Sequence, residues 1–291
     1  MERASCGVCG TSEAQILFRG RDPVSAERFP VGRCRGCGHI YLVERPTRAE
    51  IGRYYPADYG PHQHRETGER GKTSARRRLI RRRPPFSILD VGCGSGYDLR
   101  PFIAQGCRAF GIELDARAAD EARREGIDVQ SCAVEEATFR AGAFDVITMN
   151  HALEHVFDPR ATLANLRRMV RPDGIVYLLF PTADGLNFRL FREGWYHLDV
   201  PRHLQFFTRE SFARLCRETR FRLLYRGTRS GGKGFYRSLA GQSKRSGWAT
   251  IAHRASRSGP GRLFTRVALK YVVDGLRWGD IAEILLAPRD S

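Results

Sequence analysis

The stretch Ser87-Ile-Leu-Asp90-Val-Gly92-Cys93-Gly94-Ser-Gly96-Tyr97-Asp98 constrains this chain more than any other. An apolar run suited to a buried parallel strand ends at an acid and then breaks into glycines at alternate positions. A strand that stops in such a loop and feeds a helix, here Tyr97 to Gln105, opens a βαβ nucleotide site. Glycine suits it because backbone must approach the ligand closely and some positions need positive φ. A dinucleotide loop spaces its glycines G-x-G-x-x-G, to seat a pyrophosphate on a helix N-terminus. Here the third glycine comes one residue early, and Asp90 stands just before the loop, where it favours a cationic or hydroxyl-bearing ligand and repels a phosphate.

The next apolar strand, Arg108 to Ile112, ends at Glu113. A carboxylate at the tip of the second strand accepts hydrogen bonds from both ribose hydroxyls. Asp115 is an N-cap for the helix that follows. Downstream, strands are expected at Gly126 to Gln130, Phe144 to Met149, Ile175 to Phe180, Phe221 to Tyr225 and Asp280 to Leu286. Helices are expected from Pro159 to Val170 and from Thr208 to Thr219. Such alternation predicts an α/β fold, a doubly wound sheet covered by helices, with ligands at the carboxyl ends of its strands.

Asp90 to Gly96, read in full, resembles the first motif of the class I S-adenosylmethionine-dependent methyltransferases. The resemblance implies a Rossmann-like sheet whose final strand is antiparallel, and S-adenosylmethionine as cofactor. It implies a binding site of Asp90, Gly92, Cys93, Gly94 and Gly96, of Glu113 and Leu114, of Val134 and Glu135 beside the adenine, and of Asn150 and His151 along the wall.

Cys6-Gly-Val-Cys9 and Cys34-Arg-Gly-Cys37 are two well-separated C-x-x-C knuckles. Four thiolates on two tight turns give tetrahedral zinc with no open position, a structural metal in a small zinc ribbon. A segment as small as 1–45 needs such a staple. His39 is expected to pack rather than ligate, and Cys93, Cys107, Cys132 and Cys216 to stay reduced in or near the core. The expected organisation is a zinc-ribbon head at 1–45, a basic helical linker at 46–85, the cofactor domain at 86–228, and a basic helical insertion with the last strand at 229–291.

Net charge is +17 over 291 residues, and it is uneven. Residues 65–83 hold nine Lys/Arg against two acids, and residues 229–291 hold twelve against four, whereas 84–228 balance. Such flanks attract an anionic or phosphorylated acceptor, anionic lipid or nucleic acid, or merely decorate solvated helices. In the last of them, Arg262, Arg266, Lys270 and Arg277 share one helical face and Phe264, Val267, Tyr271 and Trp278 another, the pattern of an interfacial or a core-docked helix. No apolar run has bilayer length. A cytoplasmic chain is expected, with peripheral contact at the inner membrane face through this helix.

Asn150-His151-Ala-Leu-Glu154-His155-Val-Phe-Asp158-Pro159 follows the fourth strand. Two imidazoles and a carboxylate within five residues suit general-base work. His155 with Glu154 is the expected pair, and His203 and His151 are reserves. The Leu-Glu-His-Val-x-Asp-Pro run resembles quinone O-methyltransferases and deoxysugar C-methyltransferases. In the latter, the resemblance assigns base chemistry to Glu154 and His155. The head, Tyr54 to Tyr59, and Trp195 to His203 also resemble the sugar-modifying group, from which this chain is expected to depart by lacking a large C-terminal domain. These features imply O- or C-methylation of a sugar nucleotide, a lipid-linked saccharide or a secondary metabolite. A zinc-ribbon RNA methyltransferase is the alternative, although the fourth strand ends in Asn-His-Ala-Leu without an Asn/Asp-Pro-Pro-aromatic signature. A non-catalytic adaptor has no need of Asp90, the glycines and Glu113.

Overall fold

The computed structural model describes residues 1–55, 82–230, 232–243 and 273–289. Two compact units emerge. One joins residues 1–55 to 180–213 and 226–283, and the other joins 56–179 to 214–225 and 284–291.

In the first unit, β1 (Glu2–Arg3) pairs antiparallel with β5 (Glu44–Arg45). Between them, β2 (Ala14–Arg21), β3 (Arg28–Cys34) and β4 (Ile40–Leu42) form an antiparallel sheet. Its buried face carries Phe29, Val31, Ile40 and Leu42.

The second unit is built around β6 (Ser87–Val91), buried along its whole length between β7 (Arg108–Ile112) and β9 (Phe144–Asn150). A strand buried on both faces reads as an unbroken apolar run, the reason Ile88, Leu89 and Val91 stand together. Outside β7 lies β8 (Asp128–Gln130), and beyond β9 lies β10 (Val170–Pro181), all parallel. The helices that cover this sheet start where the chain supplies caps. A single 3-10 turn at Tyr97–Leu99 leads into α1 (Arg100–Ile103). The Asp115 carboxylate accepts the Ala118 amide at 2.9 Å to open α2 (Ala116–Arg124). Asp158 does the same for Ala161 at 2.9 Å, with Pro159 as first residue of α3 (Pro159–Met169). Leu163, Leu166 and Met169 then recur at the spacing of one buried helical face.

After β10 the chain forms α4 (Leu186–Phe191), the two-residue β11 (Gln205–Phe206), α5 (Arg209–Glu218) with Thr208 as its cap, β12 (Phe221–Arg229), α6 (Gly232–Ser243) and β13 (Ile281–Pro288). The seven-stranded sheet runs β12-β13-β10-β9-β6-β7-β8. Numbered within the sheet and read from the β8 edge, this is 3-2-1-4-5-7-6, the doubly wound order with the last strand inserted between the fifth and sixth. Strand order reverses between β6 and β9, so the crevice for a ligand opens at their carboxyl ends.

The units cut across the expected boundaries. Strand β11, far downstream, completes the head's sheet by pairing Gln205 with Tyr41 and Phe206 with Ile40. The head is therefore not closed at residue 45. Its fourth strand comes from the Trp195 to Phe207 region and covers the otherwise unpaired edge of β4. Most of the 46–85 linker and the C-terminal helix residues Arg262, Phe264, Arg266, Val267, Lys270 and Tyr271 lie outside the described residues.

Candidate functional site

The glycine loop turns as its spacing predicts. Gly92, Gly94 and Gly96 all have positive φ, at 71°, 54° and 81°. A side chain on Gly96 would strike Ile127 at 2.1 Å, so that glycine serves packing. Gly94 differs: nothing lies within 4 Å of where its side chain would stand. The backbone here faces open space while its amide donates to Glu113 Oε2 at 2.8 Å.

Glu113 is held from both sides, since its Oε1 accepts the Asp115 amide at 2.9 Å. Each oxygen keeps a further lone pair for a ligand hydroxyl. Leu114, next to it, is 75% exposed, an apolar side chain left in the open beside the site. Asp90 is buried at the tip of β6 and accepts a hydrogen bond from the Thr148 hydroxyl on neighbouring β9. Val134 and Glu135 lie in the 3-10 turn Val134–Glu136, whose carbonyl at Val134 is held by the Asn165 amide at 2.6 Å.

The Asn150 amide donates to Asp98 at 3.2 Å, while its Oδ1 is buried with no hydrogen-bond partner among the described residues. A buried acceptor without a donor costs about 1–3 kcal/mol, and a cationic amino group would supply what it lacks. The open space over Gly94, the paired acceptor oxygens of Glu113 and this oxygen fit S-adenosylmethionine, which carries a ribose and a cationic amino acid.

Cys93 is the exception among the expected cofactor residues. Its side chain is 6% exposed and packs in the core with Ile88, Phe102 and Val129, at 2.5 Å from where a side chain on Gly111 would stand. Burial, with Asp90 and Glu113 nearby, pushes its thiol well above the usual range. Cys93 can meet a cofactor only through its backbone. Asp98 and Thr148 carried no expected role. A sequence signal existed only for Asp98, which lies in the quoted loop region; Thr148 is a strand residue like any other until β6 and β9 are paired.

His151 takes positive φ, 51°, directly after β9, and its amide donates to the Leu179 carbonyl at 2.7 Å. A non-glycine residue held there marks a position that surrounding structure over-determines, as at functional sites. Its Nδ1 lies 3.4 Å from Glu154 Oε1; the imidazole is 42% exposed and the carboxylate 1%. His155 ends the short turn Leu153–His155 and is half-buried.

His203 belongs to the first unit, where its Nδ1 meets the His197 carbonyl at 2.8 Å. His39 is fully buried there, bonded to Ser211 at 3.2 Å and Gln205 at 2.9 Å, and burial lowers its pKa to about 4. It packs and does not ligate. The four knuckle cysteines are free thiols whose sulfurs all lie within 4.8 Å of one another, Cys6 to Cys37 at 3.5 Å and Cys9 to Cys34 at 3.4 Å.

Among the described residues no helix is long and apolar enough to cross a membrane. The profile of the methyltransferase domain family matches residues 62–225, more than half of the chain. A ubiquinone biosynthesis O-methyltransferase from Aromatoleum aromaticum is 37% identical over 97 residues, covering 31% of this chain and 42% of the relative. One from Cronobacter sakazakii is 34% identical, over 31% and 40%. The chain thus spans less than half the length of these two relatives. The structure is similar to a 1,6-didemethyltoxoflavin-N1-methyltransferase of Burkholderia thailandensis solved with S-adenosylhomocysteine, with TM-score 0.52 and 17% identity over 87% of this chain and 96% of that one. At that identity the likeness shows the fold alone. With strand order, glycine loop and family profile in agreement, the chain belongs to the methyltransferase domain family and has the class I S-adenosylmethionine-dependent fold.

Proposed function

We propose that this protein transfers the methyl group of S-adenosylmethionine to an oxygen of a small-molecule acceptor, of the sugar-nucleotide, lipid-linked saccharide or secondary-metabolite class. The observation that carries the oxygen acceptor is the exposed His151 imidazole backed by the buried Glu154 carboxylate. Bound S-adenosylmethionine supplies an electrophilic methyl on a sulfonium. The chain then has to fix the acceptor in line and take its proton. Glu113 and Asn150 orient the donor. With the Nδ1 side of the ring next to Glu154, Nε2 of His151 accepts the hydroxyl proton, and the nearby Glu154 carboxylate stabilises the imidazolium that forms. We place the base at His151 rather than His155 because its imidazole is the more exposed of the two and stands 3.4 Å from the Glu154 carboxylate. The ubiquinone relatives, named for an O-methylation, favour oxygen over carbon.

His151→Ala should lower kcat by about 10²–10⁴, far more than it weakens S-adenosylmethionine binding, and added imidazole should restore part of the rate. Incubation with labelled methyl donor against sugar nucleotides, lipid extract and total RNA identifies the acceptor on which this is measured. Near wild-type turnover in His151→Ala, with loss in His155→Ala, returns the base to His155. Label appearing in RNA alone overturns the small-molecule acceptor.

Cys6, Cys9, Cys34 and Cys37 are assigned one structural zinc ion. Four sulfurs within 4.8 Å of one another on two tight turns form a donor set that fits a tetrahedral zinc ion. Metal analysis should give one zinc per chain, and Cys34→Ser/Cys37→Ser should give none. Since β11 pairs with β4, zinc loss should expose the amides of residues 204–207 to hydrogen exchange while S-adenosylmethionine binding in the other unit persists. Zinc retained by the double variant would remove the assignment.

A further inference from the structure

The outer face of the β2–β3 hairpin carries an arrangement that folding alone disfavours. Arg21 stands directly opposite Arg28, and Arg19, two residues along, stands opposite Pro30, so the register puts all three guanidinium side chains on one face. The opposite face, that of Gly20, is covered by Leu198 and Val200. Like charges directly opposed across a strand pair destabilise it. All three arginines are exposed, and among the described residues none forms an ion pair.

The hairpin's own acids are committed elsewhere. Asp22 is fully buried, pairing with Arg202 at 2.7 Å and accepting the Val24 and Ser25 amides. Glu27 accepts from Arg53 and from the Tyr54 hydroxyl, the latter at 2.8 Å. The positive charge is thus left uncompensated on a sheet face, where guanidinium forks are suited to phosphate oxygens.

Two apolar side chains accompany it. Val24, at the turn joining the strands, is 55% exposed, and Ile16, further along β2, is 47% exposed. Among the described residues the strands put no aromatic ring beside these arginines on their face. Single-stranded nucleic acid is held by stacking on aromatic side chains, whereas arginines flanking exposed aliphatic residues match the headgroup and acyl boundary of a bilayer.

We propose that the β2–β3 hairpin docks on an anionic phospholipid surface, with Arg19, Arg21 and Arg28 on the headgroup phosphates and Val24 at the acyl boundary. The surface is separate from the residues assigned to methyl transfer and stands whether or not that assignment does. Each arginine contributes about fivefold in partitioning near an anionic leaflet, so the three together contribute about 100-fold at low salt.

The test is flotation of the full chain with vesicles of phosphatidylcholine alone or with about 30% phosphatidylglycerol. The expected result is binding to the anionic vesicles only, weakened about 100-fold in Arg19→Gln/Arg21→Gln/Arg28→Gln and lost in about 1 M salt. The triple variant should keep or raise its melting temperature, since a like-charge pair is removed, and a folded variant excludes loss by unfolding. Absence of wild-type binding, or a triple variant binding within twofold of wild type, overturns the proposal. So does tighter triad-dependent binding of a single-stranded RNA oligomer, which would make the face a nucleic-acid surface.

Discussion

Replacing Glu113 with alanine should raise the dissociation constant for S-adenosylmethionine about 100-fold or more, measured by calorimetry. Two hydrogen bonds from ribose hydroxyls to one carboxylate, each worth about 1.5–3 kcal/mol when an ion accepts, set that size. The carboxylate also holds the Gly94 and Asp115 amides at 2.8 and 2.9 Å, so its loss loosens the loop as well as removing the acceptors. Glu113→Gln separates the two: it keeps one acceptor oxygen and should lose less. Circular dichroism should show the sheet intact, because Glu113 stands at a strand end and is only half-buried. An alanine variant that binds the donor as wild type does would place the ribose elsewhere.

The largest stability effect is expected at Arg202. This side chain is 1% exposed and ties its own segment, through Asp199 at 2.8 Å, to two distant pieces of the first unit: Asp22 at 2.7 Å and the Tyr54 carbonyl at 2.7 Å. Replacement by methionine keeps volume but leaves Asp22 buried without its counter-charge. Breaking a buried pair from one side costs about 3–5 kcal/mol, and the melting temperature should fall by about 10 °C. Asp22→Asn/Arg202→Met should recover part of that, since the stranded charge is gone. Burial alone would raise the Asp22 carboxyl, but the Ser25 amide and Arg202 outweigh it and hold it below its ordinary value of 3.8. A depressed acid stabilises the fold above its unfolded value and loses that contribution as pH falls through the folded one. The wild type should therefore lose stability below about pH 4 more steeply than the double variant does. Equal melting temperatures for wild type and Arg202→Met would show that Arg202 is not a tie.

What the sequence made legible was local. The run Ser87 to Val91, the acid at Glu113 and the caps Asp115 and Asp158 each declare themselves within one strand or helix turn, and they mark out the cofactor crevice. The two C-x-x-C pairs do the same for the cysteine cluster, because each knuckle is a single tight turn. Contacts that depend on long-range pairing were not legible. Strand β11 is too short for any periodicity, and its partnership with β4 joins Gln205 to Tyr41 across most of the chain. Asn150 and Asp98 meet only because β9 lies against β6. The proposed place of the base depends on such geometry too: the turn at Leu153–His155 and the positive φ of His151 set Glu154 Oε1 at 3.4 Å from the His151 ring, a spacing that sequence order does not give. Similarly, Cys93 lies in the glycine loop by sequence yet points into the core, because Gly111 on β7 leaves room for its sulfur.

The central claim, that the carboxyl ends of β6, β7 and β9 hold S-adenosylmethionine, is tested most directly by a crystal structure of the full chain with S-adenosylhomocysteine. Both ribose hydroxyls are expected within about 3.2 Å of the Glu113 carboxylate. The adenine is expected against Leu114 and Val134, and the amino group on Asn150 Oδ1 above the Gly94 backbone. Ligand density at any other place, or a saturated soak with that crevice empty, would contradict it.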